Sequence, residues 1–360
     1  MPDHERTPDR AHPPARGARG GALPPSAVGG RVVVRHRLPD GAATDAVGAL
    51  ERTGAVLAVR RDDGSLVEVV ADDVVASRRV PPRVRRPRPG EPVAGVLDLE
   101  AALARAWQPP QVARSGRWLL RSSADRTRRA SSVLVLGAPE GDLGAAVDAA
   151  GGWMRHRGAT PRFQLPRSTG APVGGAARAD AAGLQVAADV DALLAQRGWP
   201  LVSPTTVLVG GPQVLRRRTP SAADLAPVDL AEVPGADWHA VVRPGEGGDP
   251  VLGGLLLSAP EQVFATAGVP GDRARADGAV AAGRMALVEG WAVLTDLAVL
   301  PRARRGGLAR AVVAALSTWA AERGAGRLAL QVADGNDAAR ALYGSLGLVE
   351  HHRYAYREHP

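Results

Sequence analysis

The segment WAVLTDLAVLPRARRGGLARAVVAALSTWAAERGA, Trp291 to Ala325, limits the possible folds more than any other stretch of the chain. An apolar strand runs to Leu300, Pro301 interrupts it, and a basic loop leads into a helix near Gly307. Leu308, Val312, Leu316 and Trp319 recur at helical spacing and give that helix one apolar face. A strand, a short glycine-bearing loop and a helix in this order set free backbone N–H groups and the positive end of a helix dipole beside a strand end. The small residues Gly306, Gly307 and Ala309 let a phosphate approach the backbone, so the pattern predicts a pyrophosphate site.

The text continues as RLALQVADGNDAARALYGSLGLVEHHRYAYRE. Strand-like LALQV passes through DG to a helix with Ala339, Leu342, Tyr343 and Leu346 on one side, stopped by Gly347 and followed by a strand carrying Tyr354 and Tyr356. Arg304, Gly307 and Ala309 fill the pattern Gln/Arg, two arbitrary residues, Gly, any residue, Gly/Ala. Asn336, Ala339, Leu342, Tyr343 and Leu-Gly-Leu follow at a set distance. On these two motifs the stretch from Trp291 to Tyr356 resembles the GNAT superfamily. Arg305 stands where that family commonly has an extra glycine, a departure that bears on the loop's geometry.

The resemblance implies an N-acetyltransferase that takes acetyl-CoA as acyl donor and transfers the acetyl group to an amine of a small molecule or protein, by direct attack and with no metal. Leu297, Ala298 and Val299 would offer backbone hydrogen bonds to the pantetheine arm at a strand bulge. Arg304, Arg305, Gly306, Gly307, Leu308 and Ala309 would hold the pyrophosphate. Asn336 would fix the arm, or simply cap its helix. Tyr343 would protonate the departing thiolate, the other reading being core packing. The family's usual basic Glu falls at Val293, which leaves Asp296 and Glu289 as the nearest carboxylates; Asp296 could instead hold the bulge, and Glu289 a turn with Gly290. His351 and His352 are adjacent on a strand, so at most one is expected to face the site.

Composition narrows the remaining classes. The chain has no cysteine, which excludes disulfides, thiolate catalysis and Cys-ligated metals. All 45 basic side chains are arginine, and the net charge of +8 suits a nucleic-acid binder, but aromatics at 3% leave few platforms for stacking bases. No apolar run reaches the ~18–20 residues of a membrane helix, and the polar start MPDHERTPDRAHPPARGARGG is unlike a secretory signal, so a cytoplasmic location is expected.

A chain of 360 residues is expected to form two or three units. Residues 1–28 read as a disordered tail and 29–82 as a small β-barrel of Src-homology-3 type. An Arg/Pro-rich linker covers 83–95, a GNAT-like half 96–212, a second linker 213–227, and the catalytic GNAT half 228–360. The fold class expected is mixed α+β, with two tandem α/β halves after the barrel. The first half lacks the Arg-x-x-Gly-x-Gly/Ala loop and resembles the degenerate half of tandem GNAT proteins, so Trp107, Trp118, Trp153 and Trp199 read as core anchors. A fragment from near Val228 is expected to bind acetyl-CoA alone. The competing function is a non-catalytic protein that binds acetyl-CoA to regulate an interaction.

Overall fold

The computed structural model describes residues 23, 28, 31–61, 64–79, 94–169, 175–212, 227–268 and 278–360, with backbone only for 175–179. Most of the expected tail and of both expected linkers lies outside them. The chain divides into two compact units, Met1–Arg83 and Val84–Pro360.

In the first unit, alternation of apolar and polar residues builds strands β1 (Arg31–Arg37), β2 (Ala43–Arg52), β3 (Val56–Arg61), β4 (Leu66–Val70) and β5 (Val74–Arg79). Val32, Val34, Ala46, Leu50 and Val59 form its core, and Leu23 is buried among them with its carbonyl accepting from the Thr53 hydroxyl at 3.0 Å. The expected closed barrel is not what forms: the strands make an open sheet in the order β4-β3-β2-β1-β5. A single 3₁₀ turn, Ala71–Asp73, carries the chain from one edge to the other. The edge strands β4 and β5 hold only five and six residues, mostly exposed, and have too little apolar surface to bury against each other.

The second unit is built on one sheet of eleven strands. Its first half runs α1 (Val96–Arg105), β6 (Gln111–Ser115), β7 (Trp118–Ser122), β8 (Ser132–Val135), α2 (Leu143–Arg155), β9 (Arg162–Ser168), α3 (Gly175–Gln196) and β10 (Leu201–Gly210). The second half runs β11 (Val228–Ala231), α4 (Ala236–Val242), α5 (Pro250–Leu256), β12 (Glu261–Ala267), β13 (Ala281–Val288), β14 (Trp291–Val299), α6 (Leu308–Glu322), β15 (Arg327–Ala333), α7 (Asp337–Ser345) and β16 (Val349–Glu358). Both halves repeat one plan, in which an antiparallel meander ends in a strand that pairs in parallel with the next across a helix, β8 with β9 and β14 with β15.

The sheet order is β11-β12-β13-β14-β15-β10-β16-β9-β8-β7-β6. Strand β10, from the first half, lies between β15 and β16, and β16 lies between β10 and β9. Each half thus lends its last strand to the centre. Two apolar layers cover the faces around β14 and β15: α6 packs on Ala292, Leu294, Leu328 and Leu330, and α1 on Val293, Ala329, Tyr354 and Tyr356. Helix α1 is capped from a distance, Asp180 of α3 accepting from the Val96 and Leu97 amides at 2.5 and 3.4 Å. Among the described residues no helix is long and apolar enough to cross a membrane.

Candidate functional site

Strands β14 and β15 pair only from Trp291↔Arg327 to Leu294↔Leu330. Beyond that point β14 runs on to Val299 and β15 to Ala333, so the two strands part and leave the facing backbone groups of Thr295–Val299 without a β15 partner. The cause lies in β14. Its register with β13 slips between Ala282↔Ala298 and Arg284↔Thr295, so Asp296 and Leu297 together oppose Gly283, and Asp296 takes φ +54°. An extra residue bends a strand away from its neighbour. Leu297, Ala298 and Val299 therefore lie on the parted stretch.

At the bulge Thr295 and Asp296 meet Arg284 and Arg243, while Leu297 packs on the α6 side, where its Cδ1 would lie 3.4 Å from a Cβ placed on Gly283. Gly283 is needed for this approach: that Cβ would also meet Val312 at 3.0 Å and Leu316 at 3.2 Å. Asp296 accepts from Arg243 Nη2 at 2.7 Å and is almost buried, yet its Oδ2 has no partner among the described residues.

The loop after β14 starts with a 3₁₀ turn, Pro301–Ala303, and Arg304 Nε donates to the Val299 carbonyl at 3.2 Å. Arg305 takes φ +66° and Gly307 φ +77°, both left-handed. The backbone conformation that a glycine would supply at Arg305 is therefore kept by an arginine, at a cost of about 1 kcal/mol. Residues 304–307 are exposed, and a Cβ on Gly307 would meet nothing within 4 Å. Gly307 is the N-cap residue of α6 and brings no side chain to it, so among the described residues no side chain caps the first-turn amides, Leu308 and Ala309 included. Helix α2, at the equivalent place in the first half, is closed by Asp142, whose carboxylate accepts from the Ala145 amide at 2.9 Å.

Asn336, the chain's only asparagine, is the N-cap of α7: its Oδ1 accepts from the Ala339 amide at 3.1 Å. Tyr343, 7% exposed, shares a core cluster with Leu308, Val312 and Leu330, and burial pushes its phenol up to about 12.

Glu289 lies at the far end of β14, in a two-residue turn with Gly290 (φ +50° and +77°), ion-paired to Arg105 and exposed. It is not brought to the parted strands. His351 and His352 do not alternate as a regular strand requires, because the β10–β16 register slips at His351. Their Nδ1 atoms lie 2.8 Å apart, His352 Nε2 is 2.8 Å from Glu100 Oε1, and His351 Nε2 is 2.9 Å from the Ala94 carbonyl oxygen. Burial, and then His352, hold His351 below its ordinary value.

Sequence reasoning missed three arginines. Each holds one of the first residues past the last β14–β15 pair: Arg284 Nη1 donates to Thr295 Oγ1 (3.3 Å), Arg243 to Asp296, and Arg129 Nη1 to Gln331 Oε1 (2.9 Å). All three stand against one indole, with guanidinium carbons 5.4 (Arg129), 5.7 (Arg243) and 5.2 Å (Arg284) from the Trp107 ring centroid. Arg284 is fully buried, and burial lowers its guanidinium to about 10.

Residues 94–357 match the family described as "Probable histone acetyltransferase Rv0428c C-terminal", and residues 26–78 that described as "Rv0428c N-terminal Sm-like domain". No curated protein matches the sequence. Among solved structures the chain is similar to a GCN5-related N-acetyltransferase from Kribbella flavida (17% identity, 75% of this chain and 97% of that one, TM-score 0.48). It is also similar to a tandem GNAT protein from the clavulanic acid biosynthesis pathway (14%, 76% and 89%, 0.47). A functionally unknown conserved protein from Staphylococcus epidermidis matches over 70% of this chain and 95% of its own (11%, 0.47). Because the first match runs from residue 94 to residue 357, across both interleaved halves, the chain belongs to the family described as Rv0428c C-terminal.

Proposed function

We propose that the second half, completed by β10, binds acetyl-CoA where β14 and β15 part and transfers its acetyl group to an amine. One observation carries this reading: the strands separate at a bulge, and the loop after β14 leads into a helix whose N-terminus no side chain of the described residues caps. The open space at Gly307 and the exposed loop fit a pyrophosphate. When bound there, acetyl-CoA supplies an acyl group on a good leaving group.

The chain's own residues divide the remaining work. Leu297, Ala298 and Val299 offer backbone hydrogen bonds to the pantetheine arm, and the amides from Arg304 to Ala309 face the phosphates. Asn336 caps α7 as an aspartate would, but it keeps an NH₂ donor that an aspartate lacks. In the transfer a bond forms from amine nitrogen to acetyl carbon and the thioester C–S bond breaks. Tyr343, held neutral by burial, gives its proton to the departing sulfur. The Oδ2 of Asp296, without a partner among the described residues, accepts the proton that leaves the amine, directly or through water, while Glu289 stays ion-paired to Arg105. The first half, with Asp142 in its equivalent helix start, holds no phosphate.

Amines of small molecules and of proteins both fit this reading of the acceptor; the family description names histones. Release of free CoA by the full chain with a panel of amines tests the proposal. Acetyl-CoA binding without turnover on any amine would favour the regulatory binder instead.

A further inference from the structure

The arginines at the mouth of the parted strands carry more positive charge than their partners cancel. Among the described residues Arg284 bonds neutral acceptors, the Leu256 and Ala106 carbonyls and Thr295, and the contact of Arg129 is with the neutral Gln331. Arg243 has Asp296 and, 3.4 Å away, Glu246, which is 55% exposed. Glu100, the other carboxylate nearby, is committed to His352 and Gln164. Among the described residues, Arg243 Nε and Asp296 Oδ2 are both buried without a hydrogen-bond partner. An unmatched donor beside an unmatched carboxylate oxygen, under an excess of guanidinium charge, is a complement for a molecule carrying an amine and an anion.

We infer that the acceptor is an amine that also bears a carboxylate, with the carboxylate held by Arg129 of the first half and Arg243 of the second beside Trp107, and the amine directed to Asp296. This rests on the transferase reading for the position of the donor, but it is a binding claim and can fail separately. It also gives the first half a part in acceptor recognition, since Trp107 and Arg129 reach the site of the second.

The test uses the full-length chain saturated with CoA. Calorimetry compares L-amino acids with their carboxamides, alongside a lysine-rich basic peptide. Carboxylate members should bind about 10–100-fold more tightly than their amides, the worth of a hydrogen bond to a charged group. Arg129→Gln and Arg243→Gln should each shrink that gap. Arg129 is partly exposed, so Arg129→Gln decides if Arg243→Gln does not fold, as checked by melting. Equal affinity for acid and amide, preference for the basic peptide, or a gap untouched by Arg129→Gln would overturn the inference. CoA release, measured in parallel with acetyl-CoA, separates the two failures. An acid that binds selectively but is never acetylated sinks the transferase reading alone, whereas equal binding and turnover of acids and amides sink the inference alone.

Discussion

Thr206 on β10 donates its hydroxyl to Asp334 Oδ1 at 2.6 Å, fastening a strand of the first half to the turn that leads into α7 of the second. The same strand pairs with β15 from Thr205↔Ala333 to Gly210↔Leu328. Its removal would strip one edge of β15 and bare the apolar Val207, Leu208 and Val209 contacts. A fragment beginning near Val228, which sequence alone suggests as the binding unit, is therefore expected to lack a melting transition. A fragment from Ala94 onward should melt cooperatively. Native-like melting of the shorter piece would show β10 to be dispensable.

Gly307→Val should weaken acetyl-CoA binding by at least ~10-fold, since a β-branched residue is strongly disfavoured at φ +77°. The space around that position is open, so the melting temperature should move by only a few degrees, as expected for ~1 kcal/mol. Arg305→Gly, at a residue already left-handed, should leave affinity nearly intact at high salt. Calorimetry on both variants checks the pair, and an unaffected Gly307→Val would place the phosphates elsewhere.

Tyr343→Phe keeps the ring that packs beside Leu308 and removes the hydroxyl. Acetyl-CoA affinity should stay, while the rate with saturating donor falls roughly 10²-fold, the low end for a positioned general acid because a thiolate leaves readily. A rate equal to the parent's when chemistry limits turnover would make Tyr343 a packing residue.

Alkaline titration offers a reading of the whole core. The chain's three tyrosines, Tyr343, Tyr354 and Tyr356, are all buried, and burial raises every phenol above its ordinary value. The folded state thus holds protons that the unfolded state loses first as pH rises. This contribution to stability is complete below about pH 10, the unfolded value, and is lost above it. Phenolate absorbance should therefore appear together with unfolding; three tyrosines ionising near pH 10 in a folded chain would contradict their placement.

What was legible in the sequence was local. The strand, loop and helix from Trp291 to Ala325 and the Asn336–Tyr343 helix declare themselves by periodicity and turn chemistry within a few residues. Slips of register do not. The extra residue at His351 placed two imidazoles in contact where strict alternation would separate them. The contacts of Arg129 with Gln331 and Arg243 with Asp296 span 202 and 53 residues, and no spacing rule reaches that far. The expected barrel failed for a related reason: strand content can be read locally, but closure depends on which edges meet.

Strand β16 is zipped on both sides, to β10 and to β9. A machine that threads the chain from beyond Glu358 would have to shear two ladders at once before it loosened anything else. The same machine starting ahead of α1 would first meet a helix. Resistance to being pulled apart should thus depend on direction, since β16 is held by a ladder on each edge.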